Sequence, residues 1–491
     1  MLRNKLVFIL SILLAISIIR YIVSMDTPLD KENITYTIVT VFIAFIILLS
    51  QNRTQGTNER NYLKIGYVFC VSFIIVHFFE YLAFILGVKQ VLISSQSYKA
   101  SHVNESSILA LCSFLAFGIG YVTELHSKKK VRNHSSSLNL RFLDFLMPIS
   151  LFLFYFFADK QYFEAGGNFY ITNNGGLSPL ASMFQATFLG AQGCYSIIQI
   201  IRGKKISFFK YITSFSILYY FSLFTYTYLV LSSGDRGPIL YVSFSFILPY
   251  FVLNRKKLKL KTAIFCVVLG ALALNFLGIL RNVSGELSYD KIGETNAEMA
   301  EKYEESNAFF LTTEQLSAVV RAYNVVYDFT KDNGTVIGLG FLNNLSGVVP
   351  GLRSYFIYPL LGIEGEGLIM LSTDYLSTFL LNSDHGMGTT CVGDTYFNFG
   401  FIGCIIAFLL FGLLCKYLDD RLYDITSCPI FVYILAFWYL IFSIYIGRST
   451  LISPISYCGY TYFIYLVVKF FSPKGKIFDR KSSKMLKQIE S

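Results

Sequence analysis

"ITSFSILYYFSLFTYTYLVLSSGDRGPILYVSFSFILPYFVL", residues 212–253, sets two long apolar runs on either side of a short polar tip. The first run, Ile212 to Leu231, has the roughly 20 apolar residues that one helix needs to cross a hydrocarbon core. The second, Pro238 to Leu253, follows almost at once. Gly234, Gly237 and Pro238 suit a tight turn, so the stretch reads as a membrane hairpin with Asp235 and Arg236 at its tip. What an acid and a guanidinium do there depends on which side of the membrane the tip faces.

The same pattern recurs along nearly the whole chain. Of 491 residues, 54% are hydrophobic and 15% charged, against about 25% charged in a soluble domain. Spans are expected near residues 6–24, 34–50, 65–87, 107–122, 143–158, 180–201, 212–231, 238–253, 262–280, 399–414, 429–447 and 451–471. The expected fold is therefore all-α, a polytopic membrane protein of about 12 transmembrane helices. The N-terminal "MLRNKLVFILSILLAISII" has the basic start of a signal peptide, but no small-x-small site follows, so it reads as a retained first span. Alternate connections then differ in charge. "RTQGTNERNYLK" (53–64), "HSKKKVRNH" (126–134), "RGKKISFFK" (202–210), "RKKLKLK" (255–261) and "KGKIFDRKSSKMLK" (474–487) are basic, and those between them are not. The positive-inside rule places the basic set in the cytoplasm. Both termini are then expected to be cytoplasmic, and the net charge of +10 calls for no nucleic acid.

By this topology Asp235 and Arg236 face outward, and so does one long connection, residues 281–398. It carries six Lys and Arg against fifteen Asp and Glu, a net of −9. Loops of this length are usually functional or disordered, and this one reads as ordered. "TTEQLSAVVRAYNVVYDF" (312–329) opens with a capping box at Thr312 and Gln315, and Leu316, Val319, Val320, Tyr323, Val326 and Tyr327 share one helix face. "VIGLGFLNNLSGVVPGLRSYFIYPLLGIEGEG" (336–367) is apolar but punctuated by Gly and Pro, as a segment lying on a membrane surface is. Four regions result: nine spans in 1–280, an outer loop with amphipathic helices in 281–398, three spans in 399–471 and a basic cytoplasmic tail in 472–491.

The nine cysteines lie mostly inside apolar runs, which weighs against a disulfide framework. None of the five histidines pairs with another or with cysteine at metal-ligand spacing, so no metal and no cofactor are predicted. Ionisable groups at bilayer depth are costly; Arg20, His77 and Glu80 qualify. His77 and Glu80, three residues apart on one helix face, are expected to satisfy each other or Arg20 inside the bundle. The outward arginines are more informative. Arg236, Arg281 and Arg448 stand at the outer ends of spans, and Arg321 and Arg353 lie in the large loop. Guanidinium groups grip phosphate in bidentate fashion and stay charged when partly desolvated, so such a ring suits a phosphate near the outer leaflet. Plainer readings stand beside this one: Arg448 snorkelling to headgroups, Arg321 paired with Glu314 or Asp328, Arg236 paired with Asp235. Arg281 has no acid within four residues. In "NSDHGMGTTCVGDTYFNFGFIG" (382–403), glycines surround Asp384, His385 and Asp394 just before the tenth span, and His385 is either a general base or a surface histidine.

These stretches resemble one family. "SSGDRGP" (232–238), in a hairpin after a long span, is similar to the "SGxRGP" element of bacterial O-antigen polymerases, the Wzy-type oligosaccharide repeat-unit polymerases. "GMGTTCVGDTYFNFGFIGCIIAFLLFGLL" (386–414) resembles that family's Gly-rich loop, its acid-x-Tyr-x-Asn-Phe-Gly element and the span after it. "GILRN" (278–282) is similar to its arginine after an intervening span, and order and topology match over the second half of the chain. At Asp394 the family more often has glutamate. The resemblance implies a GT-C-like, metal-independent glycosyltransferase of the bacterial inner membrane. It would move a growing glycan from undecaprenyl diphosphate onto the non-reducing end of a lipid-linked repeat unit, on the outer face, for O-antigen, capsule or exopolysaccharide. The implied partners are the undecaprenyl-diphosphate-linked oligosaccharide, a chain-length regulator (polysaccharide co-polymerase) and a flippase. Under it Arg236, Arg281 and Arg353 hold diphosphate, Arg321 and Arg448 assist, and Asp235, His385 or Asp394 takes the acceptor proton. An O-antigen ligase would share this architecture. A flippase or transporter would carry charges deep within many spans, and a metal-dependent transferase would carry paired acids in a large first outer loop, where this chain has only "MDTPLDKEN" (25–33).

Overall fold

A computed structural model describes residues 2–50, 61–87, 101–124, 138–164, 178–202, 205–233, 237–259, 317–349, 352–362, 372–381, 387–423 and 428–472, with a few isolated positions between 261 and 270. Those residues are helical throughout, with no strand among them. In chain order the main helices are α1 (Leu2–Val23), α2 (Lys31–Ser50), α3 (Ile65–Ile85), α4 (Val103–Val122), α5 (Arg141–Phe157), α6 (Pro179–Ile201), α7 (Ile217–Ser233) and α8 (Gly237–Leu253). The long connection 281–398 supplies α9 (Val319–Asn333), α10 (Leu339–Ser346) and α11 (Thr373–Leu380), and α12 (Cys391–Asp419), α13 (Ile430–Phe442) and α14 (Pro454–Phe471) complete the fold. Five of these, α1 to α4 and α12, are long and apolar enough to cross a membrane; α7, α8 and α13 are apolar but shorter. The chain is a helical membrane protein. Every expected span but the ninth coincides with a helix, and the ninth, 262–280, lies almost wholly outside the described residues, as do Thr312 and Gln315.

Two helices sit at the centres of packing. Every residue of α4 except Ile119 is buried, enclosed by α1, α2 and α12. The second centre is α6, packed by α5, α8 and α14. With lipid outside, hydrophobicity cannot drive helix against helix, so close approach at small residues does the work. A Cβ on Gly120 would lie 2.1 Å from the carbonyl oxygen of Leu409, and one on Gly412 would lie 2.2 Å from that of Phe117, so α4 and α12 touch backbone to backbone.

Polar groups gather at the two ends. At one end the Asp419 carboxylate accepts from the Ile65 and Gly66 amides and the Tyr121 hydroxyl at 2.7, 3.2 and 2.8 Å, tying α12 to the start of α3 and the end of α4. At the opposite end α9 lies across the bundle.

The tenth span differs from expectation. It was expected from Phe399, but the helix begins at Cys391, where the Thr390 hydroxyl caps it by accepting from the Gly393 amide at 3.0 Å. Gly400, at φ 67° and ψ −167°, breaks the helical path. A break frees carbonyls that a membrane cannot satisfy. The Val336 and Gly338 amides, both at 3.0 Å, supply donors to Phe397 and Asn398. Asp394 therefore stands within the first turn of α12, in an N-terminal extension held by the long connection, and not ahead of the helix.

Candidate functional site

The N-terminal extension of α12 meets α8, α11, α13 and α14 around a cavity of about 320 Å³, where the two packing groups adjoin. Tyr241 from the first turns of α8, Phe442 ending α13 and Tyr457 in α14 form one wall. The Tyr241 and Phe442 rings stack at 4.0 Å, and Tyr457 lies 5.1 Å from Phe442. Hydroxyls of Thr373, Thr389, Ser449, Thr450, Ser453 and Ser456 line the remainder, with Asn344 and two carboxyls, Asp374 and Asp394. Asp394 is 2% exposed. Thr373 donates to one of its oxygens, Thr389 bonds to Thr373, and the other oxygen, Oδ2, has no hydrogen-bond partner among the described residues. A buried carboxylate oxygen without a donor is expensive and calls for a ligand hydroxyl or N–H.

Arg448 closes the short turn Ile446–Arg448 beside this cavity. A Cβ on Gly388 would sit 3.6 Å from its Nε; burial raises the Asp374 carboxyl above its ordinary value, against the Gly388 backbone hydrogen bond and the Arg448 charge. Gly388 is held on α11 through its carbonyl, which accepts from Ser377 at 2.8 Å.

Arg321 lies elsewhere. Its Nη2 and Nε donate to Glu80 at 3.1 and 3.4 Å, a fork on a carboxylate that is 2% exposed. The expected partner Asp328 instead accepts from the amides of Ser101 and His102 and from the His102 ring. His77 and Glu80 do not bond to each other: His77 Nδ1 donates to the Phe73 carbonyl at 3.1 Å. Arg20 reaches α2, donating to Asn33 at 2.7 Å and Glu32 at 3.2 Å over the Tyr36 ring. It lines a second cavity of about 540 Å³ together with Ile16, Ile19 and Val23. Alanine at Arg321 is expected to destabilise the protein by about 3 kcal/mol or more, because a buried carboxylate loses its cation. Thermal stability equal to that of the unaltered protein would show that the Arg321–Glu80 pair does not hold α9 in place.

The stripe Arg321, Asn324, Asp328 and Lys331 docks α9 on the C-terminal end of α3 and the N-terminal end of α4. Asn324 accepts from Tyr81 and Ser106 at 3.0 and 2.7 Å, and Lys331 donates to Asp26 and Glu105 at 2.6 and 2.9 Å. Its hydrogen bond and charge hold the Asp26 carboxyl below the ordinary value. Burial works against the Lys331 ammonium, yet Asp26 and Glu105 together raise it above the ordinary lysine value. Asp26, His102 and Glu105 also bring ligand atoms within 4.8 Å of one another, a set able to hold a metal ion, with the Lys331 ammonium on two of them.

Of the residues singled out in the sequence, Asp394 lines the cavity, Arg448 borders it and Arg321 stands apart. Arg353 opens a short π-helical turn, Arg353–Ile357, with its side chain outside the described set. Asp235, Arg236, Arg281 and His385 lie outside the described residues. Sequence reading missed Tyr241, Thr373, Asp374, Thr389 and Tyr457; its one available signal was the hydroxyl-rich "GRSTLISPISY" (447–457) between two apolar runs. Comparison with protein-family models, curated proteins and solved structures gives no match to this chain.

Proposed function

We propose that the protein is a membrane-embedded glycosyltransferase that polymerises undecaprenyl-diphosphate-linked repeat units on the outer face of the bacterial inner membrane, with twelve spans and both termini cytoplasmic. The observation that carries this reading is the cavity holding the buried Asp394 Oδ2. Aromatic faces for the apolar side of a sugar ring, hydroxyls for its edge and an unengaged carboxylate oxygen for one reacting hydroxyl are what a glycan acceptor asks for. In the proposed step the acceptor oxygen bonds to the anomeric carbon as the bond from that carbon to the diphosphate breaks. The lipid diphosphate leaves with the electron pair, and the hydroxyl proton passes to Asp394. Arg448, with Arg236, Arg281 and Arg353, offsets the charge developing on the diphosphate. Arg321 supports the site from a distance by fixing α9. The test is extension itself: purified protein supplied with a lipid-linked repeat unit is expected to yield a ladder of lengths. One transfer per acceptor would identify a ligase, and movement of lipid without new bonds a flippase.

A further inference from the structure

We infer that the cavity beside Arg20 is a binding site for a phospholipid whose headgroup carries both a phosphate and a primary ammonium, the ethanolamine class. It shares no lining residue with the cavity at Asp394. At about 540 Å³ it has the size of a small-molecule site, and its lining divides into an apolar stripe and a polar end. Ile16, Ile19 and Val23 fall on one face of α1 and are 47%, 62% and 73% exposed, on a helix long and apolar enough to cross a membrane. Such a stripe, about 10 Å long, suits an acyl chain laid along it. Arg20 stands about 27 Å along the axis from Leu2, close to the thickness of a hydrocarbon core, so its guanidinium reaches headgroup level. Among the described residues its hydrogen bonds run from Nε to Asn33 and from Nη2 to Glu32; Nη1 is left to donate to a phosphate oxygen. Two acids stand at the same end. Asp30 lines the cavity, and its oxygens accept from the Glu32 and Asn33 amides with no ion pair among the described residues. Glu32 pairs with Arg20 at 3.2 Å while its side chain stays 82% exposed. Lys31, between them in sequence, is not among the lining residues. One cation beside two acids fits a zwitterion that gives its phosphate to the first and its ammonium N–H groups to the others. A quaternary ammonium has no N–H to donate, and the ring face that would take it, Tyr36, already carries the Arg20 guanidinium at 4.5 Å. A headgroup with phosphate alone brings net negative charge against Asp30 and Glu32.

The experiment is native mass spectrometry of the full-length protein, delipidated in detergent and offered phosphatidylethanolamine, phosphatidylcholine and phosphatidylglycerol of identical acyl chains. The ethanolamine lipid is expected to be retained at least about fivefold more than either of the others. Arg20→Gln, which removes the cation facing the phosphate, is expected to lower that retention about fivefold. The double variant Asp30→Asn with Glu32→Gln keeps both side-chain shapes and a capping oxygen at position 30, and is expected to erase the preference over phosphatidylglycerol. Both variants are compared with the unaltered protein at equal amounts of monodisperse material. Equal retention of the three lipids, or a preference for phosphatidylglycerol, in the unaltered protein overturns the site. An ethanolamine preference that persists in the double variant arises elsewhere on the protein and overturns it as well.

Discussion

Asparagine at position 394 is expected to reduce glycan extension by about 10²–10⁴-fold, the usual contribution of a positioned base, while the protein still reaches the membrane in normal amount. Asparagine keeps the side-chain shape and an oxygen for Thr373, but it cannot take a proton. Because Asp394 is buried and its Oδ2 has no partner among the described residues, the loss should fall on chemistry more than on folding. Comparing glycan ladders with immunoblotted membrane protein separates the two. Long glycan at ordinary levels in Asp394→Asn would move the proton-accepting role to Asp235 or His385 and take this cavity out of the reaction.

The second large effect concerns the fold. Alanine at Gly120 or Gly412 must force apart helices whose backbones already touch, since the added carbon would lie 2.1 or 2.2 Å from a carbonyl oxygen. Overpacking of this kind costs on the order of 3 kcal/mol, and both helices lie at the centre of the bundle. The expected outcome is a large drop in monodisperse protein on fluorescence-detected size exclusion. Gly118 is the control. A Cβ there would meet Leu10 and Leu48 at 3.5 Å, an ordinary contact, so alanine should cost under about 1 kcal/mol and gain helix propensity. Equal damage at 118 and 120 would contradict the crossing described above.

The hairpin at 212–253 shows what was legible. Apolar length placed α7 and α8 on either side of residues 234–236, because a membrane helix writes its identity into every residue it contains. The end of the tenth span was less visible. Its N-terminal extension exists because a glycine break at 400 is repaired by amides some sixty residues earlier in the chain, at Val336 and Gly338, and no local pattern announces that. The polar stripe of α9 could be read as helical, but its partners are distant in sequence. Arg321 finds Glu80 and Lys331 finds Glu105, where nearer acids such as Asp328 were the natural expectation. The cavity was hardest to foresee. It draws residues from segments far apart in the chain, among them Tyr241, Asn344, Thr373, Asp394, Ser449 and Tyr457. Of these only Asp394 stood in a motif, and its environment suits the proposed role: desolvated on one oxygen, anchored on the other.

The most direct test of the central claim reconstitutes the purified protein in nanodiscs with a defined undecaprenyl-diphosphate-linked oligosaccharide and resolves the products by mass. Polymerisation predicts lipid-linked glycans lengthened by whole repeat units, one undecaprenyl diphosphate released per bond formed, and loss of both signals in Asp394→Asn. Unchanged substrate with an active, folded protein, or release of lipid without lengthened glycan, would contradict it.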